Sequence, residues 1–170
     1  MMLVALGQGW RRGGYDRLFA EAVALAPDYE TCYFRMANFL REKWSGTSPD
    51  EWHRFALAPA EATKREHEQS FYSRIVWSIH GAGMARVSAF KTAGVDWPWM
   101  REGFEDLGRQ YPDSLWNKNA FCFYAFAADD KVTARRLFAE LAGRYARKIW
   151  GRPENFNRTV RWANAGARTP

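Results

Sequence analysis

Apolar residues in this chain recur with a helical period almost everywhere. From Ala134 they fall at Ala134, Leu137, Phe138, Leu141, Ala142 and Tyr145, while Arg135, Arg136, Arg144, Arg147 and Lys148 lie mostly off that stripe. A spacing of i, i+3, i+4, i+7, i+8 and i+11 lines one face of an α-helix and leaves the basic face to water. Leu18, Phe19, Ala22, Leu25 and Ala26 repeat the pattern, and Pro27 closes it because proline cannot extend the hydrogen-bond ladder. The alternation of a strand is almost absent. Arg74–Ile79 is the one run able to pass for a strand, and a lone strand has no partner. The spacing predicts helices at 15–26, 29–43, 49–66, 69–81, 97–110, 115–128, 131–148 and 154–165, with Pro59 kinking or dividing the third. Gly81–Gly94 reads as the longest irregular stretch. The fold class is all-α, built from antiparallel helix pairs.

At 170 residues the chain is long enough for one domain with a real core and short for two, so residues 1–170 read as a single domain. Nearly half the residues are apolar and 16% aromatic, nine of them tryptophan, which excludes disorder for most of the length. Cys32 and Cys122 sit far apart in apolar surroundings, the pattern of two reduced buried thiols and a cytoplasmic protein. Met1–Leu6 is too short for a signal segment, and no uncharged run reaches the roughly 18 residues of a spanning helix. The chain opens inside an apolar helix, so it reads as open to being a piece of a longer protein, with that terminal helix able to pair in a homodimer.

The net charge of +6 is uneven: residues 131–170 carry +8 and residues 1–130 carry −2. Arg144, Arg147, Lys148, Arg152, Arg158 and Arg161 interleave with Trp150, Phe156 and Trp162. Arginines and rings together neutralise phosphates and stack bases, so 131–168 is a candidate nucleic-acid or anionic surface. The competing reading is a terminal cap, with the rings in the core and the arginines solvated.

Two segments echo one another. Phe19-x-x-Ala22-x-x-Leu25-x-Pro27 precedes Tyr33-x-x-Met36-Ala37-x-x-Leu40; Phe104-x-x-Leu107-x-x-x-Tyr111-Pro112 precedes Phe121-Cys122-x-x-Ala125 and Ala134-x-x-x-Phe138. Both resemble the tetratricopeptide repeat, a 34-residue helix pair, and Phe104 and Phe138 stand 34 apart. Pro27 and Pro112 do not keep that period, being 85 apart, and the repeat's tryptophan is Tyr33 in one unit and Lys118 in the other. A further resemblance, to a bacterial family of unknown function related to tetratricopeptide proteins, rests on Lys43-Trp44-Ser45-Gly46, Tyr72-Ser73-Arg74-Ile75, Tyr111–Asn117 and Ala134-Arg135-Arg136-Leu137-Phe138. It implies a short, irregular solenoid and carries no catalytic residues. Transferring the groove-facing positions of the repeat puts Phe34, Asn38 and Arg41 on one helix and Trp116, Asn119 and Phe123 on another. The implied partner is a protein or peptide.

Motifs with a mechanism are missing. His67-Glu68-Gln69-Ser70-Phe71 has Phe71 where a zinc protease needs its second histidine. Gly81–Arg86 lacks the third glycine of a dinucleotide loop and reads as a helix end. Asp129-Asp130 reads as a turn in which Asp130 caps the next helix, and Glu102, Glu105 and Asp106 as an acidic first turn. The reading is a non-enzyme without cofactor or metal. In Lys43–Trp52, Ser48-Pro49-Asp50-Glu51 is a helix start; Trp44 is expected to pack beneath the turn at Gly46 and Trp52 to face the core with Phe55.

Overall fold

A computed structural model describes the backbone of residues 1–63 and 69–166 and the side chains of these except 59–63. Among the described residues there are eleven α-helices and no strand: α1 (Met2–Gly7), α2 (Arg12–Leu25), α3 (Glu30–Phe39), α4 (Glu51–Thr63), α5 (Ser70–His80), α6 (Val87–Lys91), α7 (Trp97–Gln110), α8 (Leu115–Ala127), α9 (Lys131–Leu141), α10 (Arg147–Trp150) and α11 (Pro153–Asn164). Each long helix packs mainly on its neighbours in the chain. α2 lies on α3, α3 on α4 and α5, α4 on α5, α5 on α7, α7 on α8, α8 on α9, and α9 on α11.

Small residues set the tightest crossing. Gly103 of α7 faces α5 where a Cβ would collide with Ser73 Oγ and the Gln69 carbonyl, and Ser73 Oγ donates to Met100 O at 2.8 Å. Aromatic rings then fill the spaces: Phe104 stacks on Phe121 with centroids 5.1 Å apart, and Tyr15 on Phe39 at 3.8 Å. The buried cluster is contiguous from Met2 to Ala163 and includes both thiols, Cys32 and Cys122, which are not joined.

Several expectations are corrected. α3 ends at Phe39 rather than 43 because residues 40–46 fold back on it: the Ser45 amide donates to Phe39 O at 3.2 Å and that of Gly46 to Arg41 O at 3.1 Å. A Cβ on Gly46 would strike the Leu40 carbonyl and lie 2.9 Å from the Arg41 carbonyl carbon. Trp44 does not pack beneath this turn; it is 50% exposed, with Lys43 Nζ 5.4 Å from its ring centre. Trp52 is buried as expected, against His53 and His80. α4 starts at Glu51 and runs through Pro59 as one helix, so Pro59 does not divide it. The segment from Gly81 to Gly94 is not irregular: a 3-10 turn at Met84–Arg86 leads into α6, which buries Phe90 against Tyr124 at 5.1 Å.

The expected helix 131–148 is two. Ala142 turns left-handed (φ 47°) with Gly143 following (φ 82°), ending α9 and exposing Ala142 and Tyr145, the last two residues of the apolar stripe. Asp130 caps α9, accepting from the Thr133 amide at 3.0 Å and hydroxyl at 2.8 Å, and also from Trp97 Nε1 at 3.0 Å. The first turn of α7 holds no acid. Its cap is Asp96, which accepts from the Trp99 amide at 3.0 Å, while Asp106 is buried and accepts from the Gln69 amide beside α5. His67 and the end of the expected helix 49–66 lie outside the described residues.

Candidate functional site

The turn joining α7 to α8 projects the most exposed aromatic pair of this half of the chain. Tyr111 ends α7, and Ser114 caps α8 by accepting the Asn117 amide at 3.2 Å. Trp116, in the first turn of α8, is thereby turned outward and is 43% exposed; Tyr111 is 55% exposed. Trp116 nonetheless stacks on Trp77 of α5, with centroids 6.0 Å apart and planes 27° apart. Trp77 is backed in turn by Phe104 at 5.8 Å, so the exposed ring rests on the core.

These rings border a cleft of about 510 Å³ lined by Phe34, Arg74, Trp77, Ser78, Leu107, Tyr111, Ser114, Trp116 and Asn117. α3 supplies Phe34, with the Arg74 guanidinium 5.8 Å from its ring centre. Among the described residues Arg74 is the one cation lining the cleft, and it is paired with Glu30 of α3. The Ser78 hydroxyl donates to Ile75 O at 2.7 Å. Among the described residues the side-chain amide of Asn117 and the indole N–H groups of Trp77 and Trp116 have no hydrogen-bond partner, and the Asn117 amide and Trp77 indole nitrogen are not buried orphans. A second cavity of about 290 Å³ lies across the same turn, sharing Tyr111, Ser114 and Asn117. Its charges are spoken for: Arg136 pairs with Glu105 and Glu140, and Lys118 with Glu140 at 3.1 Å.

The six residues expected to share a groove separate into three places. Phe34 and Trp116 do line the cleft. Asn38 and Arg41 sit beyond it: Arg41 reaches Asn38 Oδ1 at 3.5 Å, and burial and the nearby Arg86 lower the Arg41 pKa. Asn119 and Phe123 are not groove residues. Phe123 is buried against Tyr124 and Trp150. Asn119 is 1% exposed, and its amide is fully used: Nδ2 donates to Leu115 O at 2.8 Å and Arg144 O at 3.3 Å, while Oδ1 accepts from the Ala146 amide at 3.0 Å and Trp150 Nε1 at 2.8 Å. It latches α8 to the strap leading into α10. The left-handed break at Ala142, which brings that strap back, has no signal in the apolar spacing.

Arg144, Arg147, Lys148, Arg152, Arg158 and Arg161 are all exposed, but they spread over a loop, α10, the α10–α11 joint and α11. Arg144 folds onto Leu141 O and Glu140 O, and Arg158 onto Asn155 Oδ1. Trp150 and Phe156 are core residues in mutual contact at 5.5 Å, and Trp162 packs on Phe126 at 5.0 Å. The rings that were to stack bases hold α8, α10 and α11 together.

The two described histidines, His53 and His80, make contacts within the core. His53 Nε2 meets the Tyr72 hydroxyl at 2.7 Å, and that hydroxyl also accepts the Asp96 amide at 3.1 Å, joining α4, α5 and α7. Burial lowers the His53 pKa and raises that of Tyr72. His80 sits between Trp52 and Phe90 with Nε2 buried and unpartnered; burial, then Arg41 and Arg86, hold its pKa down to about 4. No cluster of three or more potential metal ligands occurs among the described residues, and none of their helices is long and apolar enough to cross a membrane. No protein-family model, curated protein or solved structure matches this chain.

Proposed function

We propose that the chain is a non-catalytic, tetratricopeptide-like module that binds an extended peptide in the cleft between α3, α5 and the α7–α8 turn. The observation that carries this reading is Trp116: a large ring 43% exposed, held rigid by its stack on Trp77, at the lip of a 510 Å³ cleft. Rigid, half-exposed aromatics contribute contact area at little entropic cost and dominate binding energy where they occur. The neighbour-on-neighbour packing of the helices and a recurring ring relation support the solenoid element. Phe104 meets Phe121 of the following helix, and Phe138, 34 positions later, meets Phe156 of the helix that packs beyond it. Leu107 and Leu141, also 34 apart, are both buried.

The anionic-surface reading keeps its exposed charges but loses its stacking rings, since Trp150 and Phe156 are buried. The peptide reading is therefore preferred.

Selection of a random peptide library on the immobilised protein tests it. Enriched peptides are expected to bind the wild type at least ~30-fold more tightly than Trp116→Ala, the loss of a ~2 kcal/mol anchor. Trp10→Ala, which removes an exposed ring elsewhere, is the control and should bind like the wild type. Enriched peptides that bind Trp116→Ala as well as the wild type refute the assignment of the cleft.

A further inference from the structure

We infer that the peptide taken by this cleft is a proline-rich segment in the polyproline II conformation, a proposal that rests on the peptide-binding reading above. Three features of the cleft select this chemistry. Its walls are rings: Phe34, Trp77 and Trp116, with Tyr111 at the rim, and the two indoles lie with planes 27° apart and centroids 6.0 Å apart. Flat, fixed faces of this kind accept the flat pyrrolidine ring and the apolar ridge of a polyproline helix.

The second feature is charge. Among the described residues Arg74 is the only charged side chain lining the cleft, and Glu30 already neutralises it. An anionic ligand finds no free cation there and a cationic ligand no free carboxylate, so the complementary ligand is neutral. Nucleic acid is disfavoured for the same reason, its affinity coming chiefly from phosphate contacts.

The third is hydrogen bonding. The indole N–H groups of Trp77 and Trp116 donate only, and neither has a partner among the described residues; the side-chain amide of Asn117 is also free there, its backbone N–H being the group that Ser114 takes. The hydroxyl of Ser78 is committed to Ile75 O, and Ser114 Oγ already accepts from the Asn117 amide. A polyproline segment has the matching deficit: it lacks N–H groups at its prolines and makes no internal hydrogen bonds, so its carbonyls seek donors. Because that helix is already ordered when free, little conformational entropy is lost on docking, which suits a shallow, open cleft.

The test is fluorescence anisotropy with a fluorescein-labelled oligoproline peptide interrupted by leucines, against the same peptide with every proline replaced by alanine. Saturable binding of the proline peptide, with the alanine version weaker by ~10-fold or more, is expected. Trp116→Ala should lose at least ~30-fold, and Trp116→Phe, which keeps a ring but not the N–H, should fall between it and the wild type. Circular dichroism melts establish that each variant is folded at the assay temperature. Equal binding of the two peptides, or none by either, overturns the proline assignment. Library-selected peptides without proline that still require Trp116 would reject proline recognition while leaving the peptide-binding module standing; a library yielding no peptide that depends on Trp116 removes both.

Discussion

Replacing Asn119 by alanine separates a binding role from a structural one. In the wild type all four hydrogen-bonding positions of the amide are filled inside the protein, by Leu115 O, Arg144 O, the Ala146 amide and Trp150 Nε1. Trp150 is 0% exposed, so its indole N–H has no water to turn to once the acceptor is gone. A stranded buried donor costs about 1–3 kcal/mol, and the partly accessible groups about 1 kcal/mol or less each, for a sum of roughly 3–4 kcal/mol. For a chain of this size each kcal/mol moves Tm by about 2–4 °C, so a fall of roughly 6–16 °C is expected by circular dichroism or calorimetry. Asn119→Asp is not a rescue, because it sets a carboxylate oxygen against the Leu115 and Arg144 carbonyls in a buried place. A double-mutant cycle identifies the bond responsible. Trp150→Phe removes the N–H that Asn119→Ala would strand, so its cost should be smaller by about 1 kcal/mol in the Asn119→Ala background than in the wild type. Where Asn119→Ala is folded, affinity for a peptide in the cleft should stay within about twofold of wild type. A Tm change under about 2 °C, or an identical cost of Trp150→Phe in both backgrounds, refutes the latch.

Gly103→Ala forces a Cβ into Ser73 Oγ and the Gln69 carbonyl, backbone that cannot swing aside; about 2–4 kcal/mol lost in urea unfolding is expected, against under 1 kcal/mol for Gly108→Ala on the open face of the same helix. His80 has a folded pKa of about 4, below its unfolded value near 6.5, so the unfolded chain binds the extra proton. Stability is therefore full above about pH 6.5 and falls as pH drops towards 4, by on the order of 2 kcal/mol allowing for partial exposure; urea melts between pH 7 and 5 should show the slope, and His80→Leu should flatten it. His53, also lowered by burial, adds in the same direction and is separated from it by its own variant. Single-stranded RNA should bind, if at all, without preference for base and with loss on adding salt, because Trp150 and Phe156 are not available to stack; base-dependent binding in anisotropy titrations contradicts this.

Much of the fold was legible because helices obey a period that apolar residues report directly. α7 and α8 begin where the sequence puts them, at Trp97 and Leu115, and α9 at Lys131 behind the cap Asp130. What escaped was the interruption of helices by backbone geometry. Ala142 adopts φ 47° although alanine is a strong helix former and the stripe continues to Tyr145; Gly143 follows at φ 82°, a local stop that the apolar stripe masks, and Asn119 holds the strap that carries Ala146. Where residues 40–46 fold back the signal is again a glycine: Gly46 is the one residue type the Leu40 carbonyl tolerates at that distance.

The site was half legible, and the division follows from what periodicity encodes. The groove positions carried over from the tetratricopeptide resemblance put Phe34 and Trp116 on facing helices, and both line one cleft. The resemblance does not state what later segments lay over such a position. Asn119 and Phe123 occupy the same side of α8 as a groove residue would, but α10 returns across them and Trp150 closes the space. Trp77 and Tyr111 were missed for the complementary reason: one sits on a helix with no repeat position assigned to it, the other on a turn, and only packing shows that Trp77 stiffens Trp116. In the proposed peptide-binding reading, the rigidity of Trp116 comes from a contact between α5 and α8, two helices not adjacent in the chain. Exchanging Trp77 for leucine should therefore weaken peptide binding through loss of the stack even though Trp116 itself is untouched. A Trp77→Leu protein that melts cooperatively and binds the selected peptides at wild-type strength would show that Trp116 acts alone.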